Sequence, residues 1–192
     1  MSFIGRIKSK LAYKFHSSMK PEIIGYSKWN GLNVKNLRIS NLTHVSNRKN
    51  ISFGDYVFVG HFNCLDGHSK VHIGEGVQIT SYVSIVTHSS HNAIRVLGSR
   101  YEKYFMESSS LIKGDVEIGA FSYVGPHSVV MPGVKIGKGC IISAYSYVNH
   151  DVPDFAIVRG KSAKIIGDTR DIDNKYFEEF PNEKSLYFKD NL

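Results

Sequence analysis

The stretch IKGDVEIGAFSYVGPHSVVMPGVKIGKGCIISAYSYV, residues 112–148, decides the fold. Stepping by six from Ile112 gives Ile118, Val124, Val130, Ile136, Ile142 and Val148, seven β-branched aliphatics in a row. The same step appears upstream at Phe53, Val59 and Leu65, and resumes at Ile73, Ile79 and Ile85 after a two-residue insertion. A weaker run, Ile39, Val45, Ile51, marks an opening coil in a shifted phase. Four residues after each repeat aliphatic stands Val or a small residue: Val57, Val77, Val83, Val116, Ser122, Ser128, Val134, Cys140, Ser146 and Val152. Six residues advance an α-helix by 600°, off the starting face, and a flat strand repeats every two residues, so neither explains the pattern. A parallel β-helix of triangular section does: three short strands make one coil, the aliphatics point into the prism, and each coil buries its interior on the next. The glycines that follow the repeat aliphatics (Gly54, Gly60, Gly74, Gly119, Gly125, Gly137) are expected at the turns, where φ can be positive.

Outward from this prism, three segments leave the repeat. Residues 86–111, VTHSSHNAIRVLGSRYEKYFMESSSL, form a long excursion between two in-phase runs, the kind of interruption that carries function. Ile4, Ile7, Leu11 and Phe15 lie at helical spacing, predicting an amphipathic helix over 2–18 that Pro21 ends. Residues 170–180 predict a short helix closing the open end of the solenoid before Pro181. The expected organisation is an N-terminal helical segment over 1–30, the β-helix over 31–167 and a helical tail over 168–192.

The chain has 192 residues, 42% of them hydrophobic and 21% charged, which is ordinary for one globular unit and argues against disorder. No apolar run approaches the roughly 18–20 residues that span a bilayer, and the first residues lack the apolar core of a secretory signal. Two cysteines, Cys64 and Cys140, are too few for a disulfide framework or a four-thiolate metal site, and a reducing cytoplasm is the expected compartment. The net charge of +7 favours anionic partners. The basic residues are not gathered into one block, and phosphorylated ligands account for them without nucleic acid. The basic face of the N-terminal helix either touches anionic lipid at the inner membrane face or packs on the prism.

The hexads IGEGVQ, ITSYVS, IGAFSY, VGPHSV, VMPGVK and IGKGCI, followed by NHDVPDFAIVRGKSAKII, resemble the hexapeptide-repeat acyltransferases, closest to the branch of maltose, galactoside and polysaccharide O-acetyltransferases. The resemblance runs from about residue 51 to 167. It implies a mainly β fold, a left-handed parallel β-helix with a protruding loop, an N-terminal helix and a short C-terminal helix. It implies acetyl-CoA as co-substrate, no metal, a carbohydrate acceptor from surface polysaccharide synthesis, and a homotrimer with active sites between subunits. Transfer of acetyl from a thioester to a hydroxyl requires a base for the hydroxyl proton, and a neutral imidazole suits that task. The family base stands at the start of the loop, where His91, followed by Asn92, matches best and His88 competes. For either, the bland alternative is a solvated loop histidine.

Asn63, Asp66 and His68 match the region where the family contacts acceptor hydroxyls, with local turn roles as the alternative. Gly125, Ala144, Lys161 and Lys164 match positions along the CoA arm. Lys164 stands where relatives often have the forked Arg. Tyr123 stands where several have Trp beside the acyl or acceptor pocket, and otherwise is an ordinary outward aromatic. An N-acyltransferase of an amino or nucleotide sugar would share the fold, and the shortness of the N-terminal segment favours the O-acyl reading. A γ-type zinc carbonic anhydrase, from another class, needs three histidines from two adjacent subunits around one Zn²⁺, for which His61, His88 and His91 are conceivable.

Overall fold

The computed structural model describes residues 20–104 and 111–181. A three-sided parallel β-helix occupies most of them. Its first face stacks Phe58–Val59, Gln78–Ile79, Tyr123–Val124, Ile141–Ile142 and Ala156–Arg159. The second stacks His44–Ser46, Cys64–Asp66, Ser84–Ile85, Val129–Val130 and Tyr147–Val148. The third stacks Ile51–Phe53, Val71–Ile73, Val116–Ile118 and Lys135–Ile136. All these pairings are parallel and in register, as in Val59↔Ile79, Ile79↔Val124 and Val124↔Ile142.

Both inward registers fill the prism. The repeat aliphatics from Ile118 to Val148 are buried, as are Val57, Val77, Val83, Val116, Ser122, Ser128, Val134, Cys140, Ser146 and Val152. The serines among them bond locally: Ser122 Oγ donates to the Gly137 carbonyl and Ser128 Oγ to that of Ser143.

Four details depart from the sequence reading. Ile112 is 40% exposed and lies outside the prism, because Ile112–Lys113 pairs antiparallel with His88–Ser89 in the neck of the excursion. The coil is re-entered only at Val116. Ile51 is a second-register residue opposite Val71, and Phe53, opposite Ile73, holds the repeat row. The early coils take 20 residues (Val59 to Ile79) and the late ones 18 (Val124 to Ile142).

The third departure concerns the glycines after the repeat aliphatics. None of the six has positive φ; a Cβ there would strike the next coil, as at Gly119, 2.5 Å from the Gly137 carbonyl carbon and Lys138 N. The left-handed position falls two residues later and is often aromatic: Tyr56, Phe62, Tyr82, Phe121, His127, Tyr145 and Phe155 have φ near +60°. Such backbone costs about 1–2 kcal/mol for an L-residue, and stacking between coils offsets it. Phe62, Tyr82, His127 and Tyr145 stack at 5.0, 4.8 and 4.8 Å along the corner between the first and second faces.

The fourth departure is at the ends. Residues 1–19, and with them the predicted helix over 2–18, lie outside the described residues. Ile23–Trp29 (β1), within the segment expected to be helical, is a strand in an antiparallel hairpin with Leu32–Ser40 (β2). Asn30 and Gly31, both at positive φ, make its two-residue turn, whose twist matches the flanking strands. The hairpin closes the first coil: buried Trp29 donates from Nε1 to the Ile51 carbonyl at 2.7 Å, and the Arg48 guanidinium covers its ring at 3.8 Å. At the other end Lys164–Asp168 turns back on Ala156–Arg159, and a helix over Thr169–Asp173 follows. That helix is shorter than the 170–180 expected, and turns occupy the residues after it.

The excursion over 86–111 carries its own structure. From the His88–Ser89 neck the chain runs into helix α1 (His91–Leu97), a 3₁₀ turn over Gly98–Arg100 and helix α2 (Tyr101–Tyr104).

Candidate active site

The corner between the second and third faces gathers the most unusual chemistry among the described residues. Asp66 ends a second-face strand, and its carboxylate is buried. On one oxygen, Oδ1, it accepts from Ser46 Oγ at 3.1 Å, from the His68 backbone N–H at 3.2 Å and from His68 Nδ1 at 2.5 Å. On the other, Oδ2, it accepts from the Thr87 backbone N–H at 3.1 Å and from His88 Nδ1 at 2.6 Å, while the Thr87 hydroxyl donates to the Asp66 backbone carbonyl at 2.8 Å with Oδ2 as a longer branch at 3.1 Å. Thr87 is itself fully buried and accepts from the Ser69 N–H. Burial alone would raise the Asp66 carboxyl. The hydrogen bonds from His68, His88 and Thr87 outweigh it and hold the carboxyl well below the usual carboxylate range.

The protonation pattern follows from that. An ionised carboxylate only accepts, so both imidazoles carry their hydrogen on Nδ1. Nε2 is then the nitrogen at which each ring can take up a proton. The two rings lie 3.9 Å apart, centroid to centroid, tilted by 39°. Asp66, His68 and His88 also form the one group of three potential metal-ligating residues found among the described residues. Here each is engaged in a hydrogen bond to another member of the group.

Local sequence explains why these side chains meet. His68 sits in the turn over residues 67–70 that absorbs the two-residue insertion between Leu65 and Ile73. His88 follows one coil later, at the point where the chain leaves the prism and pairs with Lys113. Asp66 shares the coil of His68, and the pairing of Leu65 with Ile85 sets it beneath Thr87 and His88 of the next.

The other candidates are placed as follows. His91 opens α1, and its Nδ1 bonds Ser89 Oγ at 2.7 Å, with no carboxylate on it. Asn63 is buried and spends its amide on backbone, donating to the Gly60 and Thr80 carbonyls and accepting from Val83 N–H. His61 lies at the first–second corner, bonded to Ser40 Oγ at 2.6 Å, so His61, His88 and His91 do not converge within the chain. Gly125 and Ala144 are stacked neighbours at that same corner: a Cβ on Gly125 would stand 2.6 Å from Ala144 N. Beside them a groove of about 330 Å³ is lined by His127, Val129, Tyr145, Ser146, Tyr147 and Lys161. Lys164 opens the final strand and is exposed, and Tyr123 is an exposed residue of the first face. Within one chain, then, the Asp66–His68–His88 group and the Gly125–Ala144–Lys161 strip stand on opposite edges of the second face.

Comparison with known proteins agrees with this architecture. Residues 111–150 match the family model described as bacterial transferase hexapeptide (six repeats). The chain is 29% identical over 145 residues to the galactoside O-acetyltransferase of Escherichia coli, covering 70% of this chain and 66% of that one. In fold it is similar to a galactoside acetyltransferase in complex with coenzyme A, with a TM-score of 0.60 at 24% identity over 73% of this chain and 66% of that. It is equally similar to AntD, an N-acyltransferase from Bacillus cereus solved with dTDP and 3-hydroxybutyryl-CoA, with a TM-score of 0.59 at 20% identity over 79% of this chain and 90% of that. The chain spans between 35% and 66% of the length of the curated relatives it matches. The chain has the left-handed β-helix fold of these structures, and its residues 111–150 carry the hexapeptide repeat of that family model.

Proposed function

We propose that this chain is an acetyl-CoA-dependent O-acetyltransferase acting on a sugar hydroxyl, with His88 as general base and Asp66 as the group that orients it. The observation that carries this reading is the Asp66 Oδ2···His88 Nδ1 hydrogen bond of 2.6 Å at the root of the excursion. A carboxylate on Nδ1 fixes the ring and its tautomer and leaves Nε2 as the basic nitrogen of the ring. It also stabilises the imidazolium that forms on proton uptake. His91 has only a serine hydroxyl on Nδ1 and gains neither benefit. His88 takes the proton as the acceptor oxygen attacks the thioester carbonyl. When the tetrahedral intermediate collapses and the C–S bond breaks, the proton passes from Nε2 to the departing thiolate. Atoms and charge balance without a covalent enzyme intermediate.

The donor arm is proposed to follow the Gly125–Ala144 corner, with Lys161 and Lys164 toward its phosphates and Tyr123 beside the acceptor. Because that strip and the imidazoles flank opposite edges of one face, a complete site needs the strip of one copy and the imidazoles of another. The homotrimer expected from the resemblance meets this requirement. An acceptor within a surface polysaccharide and a cytoplasmic setting, where acetyl-CoA is made, complete the proposal.

The second reading is N-acylation of an amino sugar, favoured by the likeness in fold to AntD. Incubating the protein with acetyl-CoA and a panel of sugars and amino sugars, then treating the products with hydroxylamine, separates the two. An acetyl ester is cleaved and an acetamide survives. Thiol release with no acetylated sugar of either kind contradicts both.

A further inference from the structure

We propose that His68 is a positioning residue of this site, pinning the Oδ1 side of Asp66 so that Oδ2 remains on His88 Nδ1. The inference rests on the reading of His88 as base and deepens it.

An aspartate carboxyl rotates easily about its last torsion, which has a broad, roughly two-fold profile. Holding one oxygen therefore does not fix the other unless the whole plane is gripped. Here Oδ2 is gripped by Thr87 and shared with His88. On the Oδ1 side, Ser46 Oγ and the His68 backbone N–H sit at 3.1 and 3.2 Å, while the His68 ring approaches to 2.5 Å. The imidazole is thus the closest restraint on that oxygen. The same ring packs on His88, with the centroids 3.9 Å apart.

A separate observation points the same way. His68 exists at this place because the coil is two residues longer than the late coils. In the first coil after the excursion the same corner is filled by Met131, Pro132, Gly133 and Val134, with no polar side chain. The lengthened turn delivers an imidazole to the one buried carboxylate beside the excursion.

The test is spectroscopic and needs no acceptor. The full chain is labelled with ¹⁵N-histidine, and the downfield protons of imidazole Nδ1–H groups are recorded. Wild type should give two such signals bonded to carboxylate, assigned to His68 and His88 by single substitution. In His68→Ala the surviving His88 signal should move upfield and exchange with water about tenfold faster or more, in line with the effect of removing an outer partner from a functional histidine. In His68→Asn, whose amide places an N–H where Nδ1 stood, the His88 signal should return close to its wild-type position. Should the alanine variant fail to fold, as judged by its amide fingerprint, His68→Gln replaces it, since the longer side chain carries its N–H away from Oδ1. A His88 signal unchanged in His68→Ala or His68→Gln overturns the proposal. So does an asparagine variant that behaves like alanine. Failure of the base assignment is read elsewhere, as undiminished acetyl transfer by His88→Ala.

Discussion

Replacing Asp66 by asparagine changes one atom and puts the proposed machinery in conflict with itself. The wild-type carboxylate accepts on both oxygens, a backbone N–H and an imidazole N–H on each side, with Ser46 Oγ added on Oδ1 and a branch of the Thr87 hydroxyl on Oδ2. An asparagine has one accepting oxygen and one donating NH₂. With the NH₂ at the Oδ2 place it faces Thr87 N–H and His88 Nδ1–H. With the NH₂ at the Oδ1 place it faces the His68 backbone N–H and ring N–H. Neither orientation avoids a donor facing a backbone donor. The imidazole on the NH₂ side relieves its part by moving its hydrogen to Nε2, the nitrogen the chemistry needs as a base. Loss of a hydrogen-bonded charge in a buried setting costs roughly 1.5–3 kcal/mol, and loss of a positioned base costs on the order of 10²–10⁴ in rate. Asp66→Asn should therefore unfold at measurably lower denaturant concentration. At a denaturant concentration and temperature where it remains folded, it should release CoA thiol 10²–10⁴-fold more slowly, with the KM for acetyl-CoA unchanged. Transfer within threefold of wild type by a folded Asp66→Asn protein would refute the reasoning.

Three further outcomes concern the fold. Ile118→Ala, in the prism, should lose about 2–5 kcal/mol of stability to urea, whereas Ile112→Ala, on the neck, should lose under about 1 kcal/mol; equal losses would return Ile112 to the core. Gly119→Ala places a Cβ against the backbone of the next coil and should destabilise by about 2 kcal/mol or more. Gly133→Ala, with open space but φ of +84°, should cost about 1 kcal/mol. The reverse order in a melting experiment contradicts the close-approach account. On acidification, the sign for Asp66 follows from its folded pKa lying below the unfolded one. Its contribution is complete above the unfolded value near 4 and is lost as the pH falls below it toward the folded value. The melting temperature of wild type should therefore drop more steeply below about pH 4 than that of Asp66→Asn, and parallel curves would remove Asp66 as the source.

The prism was legible because its signal is local and repeated. The rows from Ile118 to Val148 and the small second register need only a period to be seen. What the period could not supply was where the chain enters it: Ile112 matches in phase, yet the pairing of His88–Ser89 with Ile112–Lys113 holds it outside. The role of glycine was misread for a related reason, since contact between coils is set by residues 18–20 apart and not by the local turn. The hairpin of β1 and β2 has its signal in Asn30–Gly31 between two β-rich runs, a two-residue turn that the helical spacing of the preceding residues does not reach. At the site, residue type and position present Asp66 and His68 as acceptor contacts and His88 as a base, with nothing to join the two roles. That one carboxylate joins two imidazoles depends on the stacking of Leu65 on Ile85, which places residue 66 under residues 87 and 88. Asn63 shows the converse: its residue type suits a sugar contact, and its burial assigns it to the turn.

The most direct test of the central claim is a comparison of His88→Ala with His91→Ala under identical conditions, following acetyl transfer from acetyl-CoA to a sugar acceptor by thiol release and product mass. The account predicts a loss on the order of 10²–10⁴ for His88→Ala and a change of no more than a few-fold for His91→Ala, with both variants folded and binding acetyl-CoA as wild type does. Transfer that survives loss of His88 and collapses with loss of His91 contradicts it.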